Sequence, residues 1–212
     1  MNKIEDLKEF IKSLGVDIYG FADLRKLKEI PLGLSIDFED FIKKYPFAIV
    51  LGTQVGKLGS KATGTERSLF LESNAFHIMN YFEDLGYKAL IIHTEDEFDP
   101  HNRLGFISLK ALAKTAGLGW QGRSLLIISP EYGPIHRLIA VLTNFPLEPN
   151  MTIENKCGNC RLCVDACPQK ALNLVMFEDH PITREEVLDI NTCLGDNGCM
   201  VCIKACPWLK KI

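Results

Sequence analysis

The sequence predicts an α+β chain in two parts: a layered α/β domain over residues 1–150 and a small cysteine-rich module over residues 151–212. Three observations predict it. Apolar spacings of helical and of strand period alternate through the first part. Pro146 and Pro149 then punctuate the chain. All eight cysteines lie between Cys157 and Cys206, and none precedes them. A chain of 212 residues can bury a core without disulfides, so this crowding serves one local purpose.

Ile4, Leu7, Phe10, Ile11 and Leu14 recur at helical spacing, and Gly15 stands where a C-terminal cap belongs. Residues 16–22 read as a short strand. Residues 37–45 form a second helix, stopped by Pro46. The run 47–52 (FAIVLG) is apolar throughout and of strand length, as expected of a strand buried on both faces. Residues 53–65 carry Gly56, Gly59 and Gly64 and read as an exposed loop. A long helix over 66–85 follows, ended by Gly86. Then come a strand at 87–93, an acidic connection at 95–99, a helix at 109–116, and strands at 124–129 and 136–144.

Net charge is −3, acidic residues outnumber basic ones in both parts, and no long basic run stands out. Charge therefore predicts no nucleic-acid partner and no anionic membrane surface. The N-terminus is polar and amphipathic, unlike the apolar core of a signal peptide, and no apolar run approaches 18 residues. The expected compartment is the reducing cytoplasm, where thiols stay free for metals or chemistry.

The first cysteine run is Cys157-x2-Cys160-x2-Cys163-x3-Cys167-Pro168. The second is Cys193-x5-Cys199-x2-Cys202-x3-Cys206-Pro207. The first matches the bacterial ferredoxin spacing for a [4Fe–4S] cluster, proline included. In that arrangement three close thiolates take three irons of one cube, and the fourth cysteine ligates the other cube. Two [4Fe–4S] clusters are thus expected. Cluster one takes Cys157, Cys160, Cys163 and Cys206; cluster two takes Cys193, Cys199, Cys202 and the crossed-over Cys167. Gly195, Asp196, Asn197 and Gly198 would form the longer turn between Cys193 and Cys199. Two structural zinc sites are the competing reading, but zinc has no use for the third cysteine at x2 or the trailing Cys-Pro. Clusters that only staple the fold are a further alternative.

Gly117-Leu-Gly119-Trp120-Gln-Gly122 fits G-x-G-x-x-G. Dinucleotide binding needs a strand before that motif and a helix after it, and here the order is inverted. Residues 52–58 approach a P-loop but are one residue short and lack the final Ser/Thr. Asp99-Pro-His101-Asn-Arg-Leu-Gly105 misses the D-x-H-x-x-G corrinoid motif by one residue, which argues against a histidine-ligated corrinoid. The five histidines show no zincin-like pairing, and no G-x-S-x-G elbow is present.

The stretch 116–127 (AGLGWQGRSLLI) resembles the AGLGW-x-G-(K/R) signature of the epoxyqueuosine reductases. With 130–134 (PEYGP) and 137–146 (RLIAVLTNFP) it also resembles the reductive dehalogenases. In both families such a segment precedes CG-x-C-x2-C-x3-CP, and a later Cys with a terminal C-x2-C-x3-CPW completes the pattern, as in Cys193 and 199–208. The resemblance implies a nitroreductase-like N-terminal domain, a two-cluster ferredoxin-like module, and a cobalamin held between them. It also implies that Gly117, Gly119, Trp120, Gly122 and Arg123 line the corrinoid or substrate cavity near the proximal cluster. Epoxyqueuosine reductases carry an Asp-Tyr-His triplet, with the aspartate as proposed proton donor. The comparable region here, 65–70 (TERSLF), has none, and the catalytic residues are left unassigned. Glu66, Arg67, Tyr81, Tyr132 and Arg123 are the candidates.

The expected function is that of an iron–sulfur oxidoreductase passing electrons to a cofactor or small substrate at the N-terminal domain. The alternative is an electron-transfer protein with no substrate of its own that docks a partner enzyme. Either needs a redox partner protein as electron donor. With each cluster adding about −2, the loaded chain nears about −7, which favours a positively charged partner.

Overall fold

The computed structural model describes residues 3–16, 18–27, 38–54, 63–94, 97–99, 104–105, 107–195 and 199–209. In chain order the elements are α1 (Lys3–Ser13), β1 (Ile18–Asp23), a 3-10 turn (Leu24–Lys26), α2 (Phe38–Lys44), β2 (Phe47–Gln54), α3 (Gly64–Asp84) and β3 (Ala89–Ile92). They continue with β4 (Glu97–Asp99), β5 (Leu104–Gly105), α4 (Leu109–Thr115), β6 (Trp120–Gln121), β7 (Ile127–Ser129), β8 (Gly133–Thr143), α5 (Leu162–Asp165) and α6 (Val201–Lys204).

The main sheet is built around β2 and β8, whose side chains alternate between two cores. Ala48, Val50, Ala140 and Leu142 face one side, where Leu112, Ala113 and Ala116 of the α4 segment close over them together with Leu24 and Tyr45. Ile49, Leu51, Ile139 and Val141 face the other, against Leu7 and Ile11 of α1 and Leu71, Ala75, Ile78 and Phe82 of α3. Each large apolar side chain so enclosed contributes about 1.5–3 kcal/mol. The apolar run 47–52 is therefore buried on both faces as expected. Every ladder among the described residues is antiparallel. Of the α/β and α+β layouts that the alternating periods allow for residues 1–150, the α+β one is realised. No βαβ unit is needed to bury both faces when helices before and after the strands cover them.

The strand order is β1-β2-β8-β7-β6. One edge of β8 lies along β2. Its other edge pairs with β7 near Gly133 and with β3 near Thr143. Several boundaries differ from the sequence reading, three of them informatively. The strand expected at 124–129 shortens to β7, because Gly122 N–H donates to the Leu126 carbonyl and Leu125 N–H to the Gly122 carbonyl, each at 2.8 Å, closing a turn. Leu125 takes φ 60° in that turn. The expected loop 53–65 yields Thr53 and Gln54 to β2 and Gly64 and Thr65 to α3, and residues 55–62 lie outside the described residues. The connection at 95–99 includes β4, which pairs with β5. Residues 100–103, with His101, lie outside the described residues.

α3 starts on a reciprocal cap. Thr63 Oγ1 accepts from Glu66 N–H at 3.2 Å while the Glu66 carboxylate accepts from Thr63 N–H at 2.6 Å. Those bonds hold the Glu66 carboxyl below the usual carboxylate range, chiefly through the Thr63 backbone N–H. Glu66 is thus an ionised cap at neutral pH rather than a proton donor. Among the described residues no helix is long and apolar enough to cross a membrane.

Candidate metal centre

The two cysteine runs fold alike. In each, the third cysteine lies in a four-residue helix, α5 or α6, and the fourth follows it just before a proline. The residue before α5, Arg161, has φ −126° and ψ 6°; its counterpart before α6, Met200, has −127° and 23°. The exits match as well, at Ala166 (−78°, −12°) and Ala205 (−77°, −12°). Cys167 N–H donates to Val164 O and Cys206 N–H to Ile203 O, both at 3.2 Å. Lys170 N–H then donates to Cys167 O at 3.1 Å, as Leu209 N–H does to Cys206 O at 3.0 Å. Proline at 168 and 207 follows the fourth cysteine and keeps the helix from resuming there. Gly195 occupies a left-handed position, φ 66°, beside Cys193, and residues 196–198 of the expected turn lie outside the described residues.

The fourth thiol crosses over. Cys157, Cys160, Cys163 and Cys206 line one recess enclosing about 360 Å³ of atom-free space, part of it open to solvent. Cys202 has Cys199, Cys193 and Cys167 as its electrostatic neighbours. These are the two groups expected from the spacing. Burial, with smaller contributions from Cys157, Cys202, Cys160 and Cys206, pushes the Cys163 thiol up to about 11. Cys202 is likewise pushed to about 11, first by burial and then by its thiol neighbours. Crowded, half-buried thiols resist ionising together until a cationic core neutralises them, so the donor set fits a metal. Among the described residues no three His, Cys, Asp or Glu side chains gather tightly enough for a single metal ion. A tetrahedral zinc needs its thiolates about 2.3 Å from one point, whereas a cube spreads them around itself. Thiols ringing a recess fit the cube.

The last glycine of the G-x-G-x-x-G segment, Gly122, lines this recess. A Cβ on Gly119 would stand 2.0 Å from the Ile128 carbonyl oxygen, so only glycine lets β6 lie against β7 there. That pairing aims Trp120, 1% exposed, at the module, and its indole Nε1–H donates to Cys157 Sγ at 3.3 Å. The Trp120 ring meets Trp208 edge-on, centroids 5.0 Å apart. Gly122, Arg123 and Ser124 line the recess with Ile128, Pro207 and Trp208. Arg123, 4% exposed, donates from Nη1 to Val175 O at 2.5 Å and from Nη2 to Gly158 O. Gly117 instead touches the linker, where a Cβ would stand 2.4 Å from Met151 O. Of the five motif residues, Trp120, Gly122 and Arg123 reach the cluster-one recess, while Gly117 and Gly119 shape the backbone beside it.

Three contributors escaped the sequence reading. Asn155 Oδ1 accepts from Cys157 N–H at 2.9 Å while Nδ2 donates to Gln121 O at 3.0 Å, tying Cys157 to β6. An Asn two residues before a Cys is the one signal for this Asx turn. Gly133, φ 76°, lets the 206–209 segment rest on the start of β8. Leu125 leaves the main sheet to join Leu172 and Val187 in the module's own core, with Cys163, Cys167 and Cys202 packed against it.

The remaining candidates separate. Tyr81 stacks on Phe10 between α3 and α1, in the core beneath the sheet. Arg67 and Tyr132 meet through Gln54: Arg67 Nε donates to Gln54 O at 3.4 Å, and Gln54 Nε2 to Tyr132 O at 2.5 Å.

Residues 156–209 match the family described as the 4Fe-4S dicluster domain. Among curated proteins, the epoxyqueuosine reductase of Bacillus anthracis is 43% identical over 196 residues, covering 79% of this chain and 52% of the relative. The chain thus spans about half the length of that relative. A crystal structure of an epoxyqueuosine reductase with an epoxyqueuosine-modified tRNA stem loop superposes at TM-score 0.63 and 23% identity, over 96% of this chain and 64% of that one. A reductive dehalogenase, whose structure is reported to suggest a mechanism for B12-dependent dehalogenation, superposes at TM-score 0.70 and 20% identity, over 98% and 32%. The chain carries a 4Fe-4S dicluster domain, is similar in sequence to epoxyqueuosine reductases, and shares its fold with them and with reductive dehalogenases.

Proposed function

We propose that this chain is an iron–sulfur oxidoreductase in which Cys157, Cys160, Cys163 and Cys206 hold one [4Fe–4S] cluster, Cys167, Cys193, Cys199 and Cys202 hold a second, and a corrinoid is the acceptor at the N-terminal domain. The observation that carries the reading is the recess of four cysteines walled by Gly122, Arg123 and Ser124. When bound, the clusters supply one-electron transfer and the corrinoid a reducible cobalt centre. The chain's own residues position those groups. Asn155 and Trp120 fix Cys157, and Gly133 seats the segment that carries Cys206.

The acceptor side falls to the polar ends of β2 and β8, where Thr53, Gln54, Arg67 and His136 are all buried. Thr53 Oγ1 has no hydrogen-bond partner among the described residues, and buried polar atoms are normally satisfied. Such a wall suits the amide-rich rim of a corrinoid better than an apolar ligand. Arg67 and Tyr132, joined through Gln54, are the groups there able to orient a substrate or hold a proton. The nitroreductase-like description of residues 1–150, the division of the chain at residue 150, a cytoplasmic location and a separate protein donor belong to the same proposal. The tRNA stem loop on a protein of this fold makes modified tRNA one candidate substrate, beside a small molecule.

Anaerobic titration of the reconstituted chain with cob(II)alamin, followed by absorbance and EPR, tests the reading. Saturable binding with reduction of cobalt on addition of dithionite-reduced protein is expected. Fully loaded protein that neither binds nor reduces the corrinoid would move the assignment to an electron carrier.

A further inference from the structure

Cluster one is not enclosed by its own module alone. Trp120 comes from β6 of the N-terminal domain, and Arg123 from the turn that follows it. The Trp120 indole is shut away from water and donates to Cys157 Sγ at 3.3 Å. Arg123 is also buried, and its guanidinium lies over the Phe177 ring, 5.7 Å from the centroid. Its two Nη groups are committed to Val175 O and Gly158 O, the latter between the first two ligands. Its Nε has no hydrogen-bond partner among the described residues, and no carboxylate pairs with it there. A buried guanidinium with an unspent N–H and no counter-ion is costly unless an anion lies beside it. The recess it lines with four cysteines is where a cluster of net charge about −2 would sit.

Backbone N–H groups serve both sites, those of Trp208 and Leu209 at Cys206 among them, but among the described residues no side-chain donor reaches a sulfur of the second site. Its sulfur hydrogen bonds among the described residues come from backbone N–H groups, Ala171 to Cys167 Sγ at 3.3 Å and Gly195 to Cys193 Sγ at 3.4 Å. We infer that Trp120 and Arg123 are positioning residues through which the N-terminal domain sets the reduction potential of cluster one, holding it above that of cluster two. The inference rests on the cluster assignment of the proposed function. Reduction makes a cluster more negative, so an N–H donor at sulfur and a buried cation both favour the reduced form and raise the potential. The domain that holds the acceptor thereby fixes the energy at which electrons reach it.

The test is an EPR-monitored redox titration of the anaerobically reconstituted full chain, with iron measured per chain. Trp120→Phe keeps an aromatic ring against Trp208 and removes only the donor. It is expected to lower one of the two midpoint potentials by about 59 mV, a tenfold change in that one-electron equilibrium, with the other potential and the iron content unchanged. Arg123→Gln should move the same potential in the same direction, and Arg123→Lys less, because lysine keeps the charge without the fork. If Arg123→Gln fails to fold, Trp120→Phe and Arg123→Lys carry the test. Fully loaded variants that titrate like the wild type, or in which both potentials move together, would overturn the inference. A wild-type chain that does not load two cubes would instead overturn the cluster assignment beneath it.

Discussion

Cys206→Ala is expected to remove the cluster bound by the first cysteine run, 43 to 49 residues away in sequence, and to leave the second run's cluster in place. Cys206 shares its recess with Cys157, Cys160 and Cys163, and none of the other cysteines of its own run lines that recess. Iron should fall to about four atoms per chain, the content of one cube. Within-run ligation would also leave about four, so the identity of the survivor decides. The remaining cluster should be the one indifferent to Trp120→Phe, since Trp120 contacts Cys157. A surviving cluster whose potential still responds to Trp120 would show that each run keeps its own fourth thiol. The converse substitution, Cys167→Ala, should spare the Trp120-sensitive cluster.

Gly133→Ala should be a damaging single-methyl change on the domain side of the cluster. Gly133 has φ 76°, and a Cβ there would stand 2.4 Å from Trp208 O and 2.8 Å from Leu209 Cα. Both obstacles are backbone, so no rotamer change relieves them. The left-handed conformation alone costs an alanine about 1–2 kcal/mol, and the collision should raise the total to about 3 kcal/mol or more. Gly15 provides the control: its φ is 75°, and an added Cβ meets nothing within 4 Å. Gly15→Ala should lose the backbone share alone. The excess loss in Gly133→Ala, read from thermal unfolding of the iron-loaded protein, measures the seating of the Cys206-Pro207-Trp208 segment. It should be accompanied by loss of cluster-one iron. Equal losses in the two variants would mean that this segment does not depend on the start of β8.

What could be read from the chain alone divides along physical lines. Cysteine spacing is legible because ligand geometry tolerates few spacings, and the structure sets Cys206 beside Cys157, Cys160 and Cys163 in one recess. The apolar run at 47–52 disclosed a doubly covered strand but not its direction. Parallel and antiparallel strands look alike in sequence once helices cover both faces. The expected strand at 124–129 is longer than β7 because Leu125 is as apolar as its neighbours. Its side chain serves the module's core, and periodicity cannot say which core a residue enters. β6, only two residues long, has no period to detect. The glycines of residues 117–122 serve a tight backbone, Gly119 against Ile128 above all. What they serve, the approach of Trp120 and Arg123 to a cluster carried more than thirty residues later, rests on tertiary contacts.

The central claim, two four-cysteine sites each holding a [4Fe–4S] cube, is tested most directly by the metal content of the full chain. Iron, acid-labile sulfide and zinc are to be measured after anaerobic reconstitution and removal of loosely bound metal. About eight irons and about eight sulfides per chain, with no stoichiometric zinc, is the expected result. About four irons or fewer, or zinc in their place at about two per chain, would contradict it.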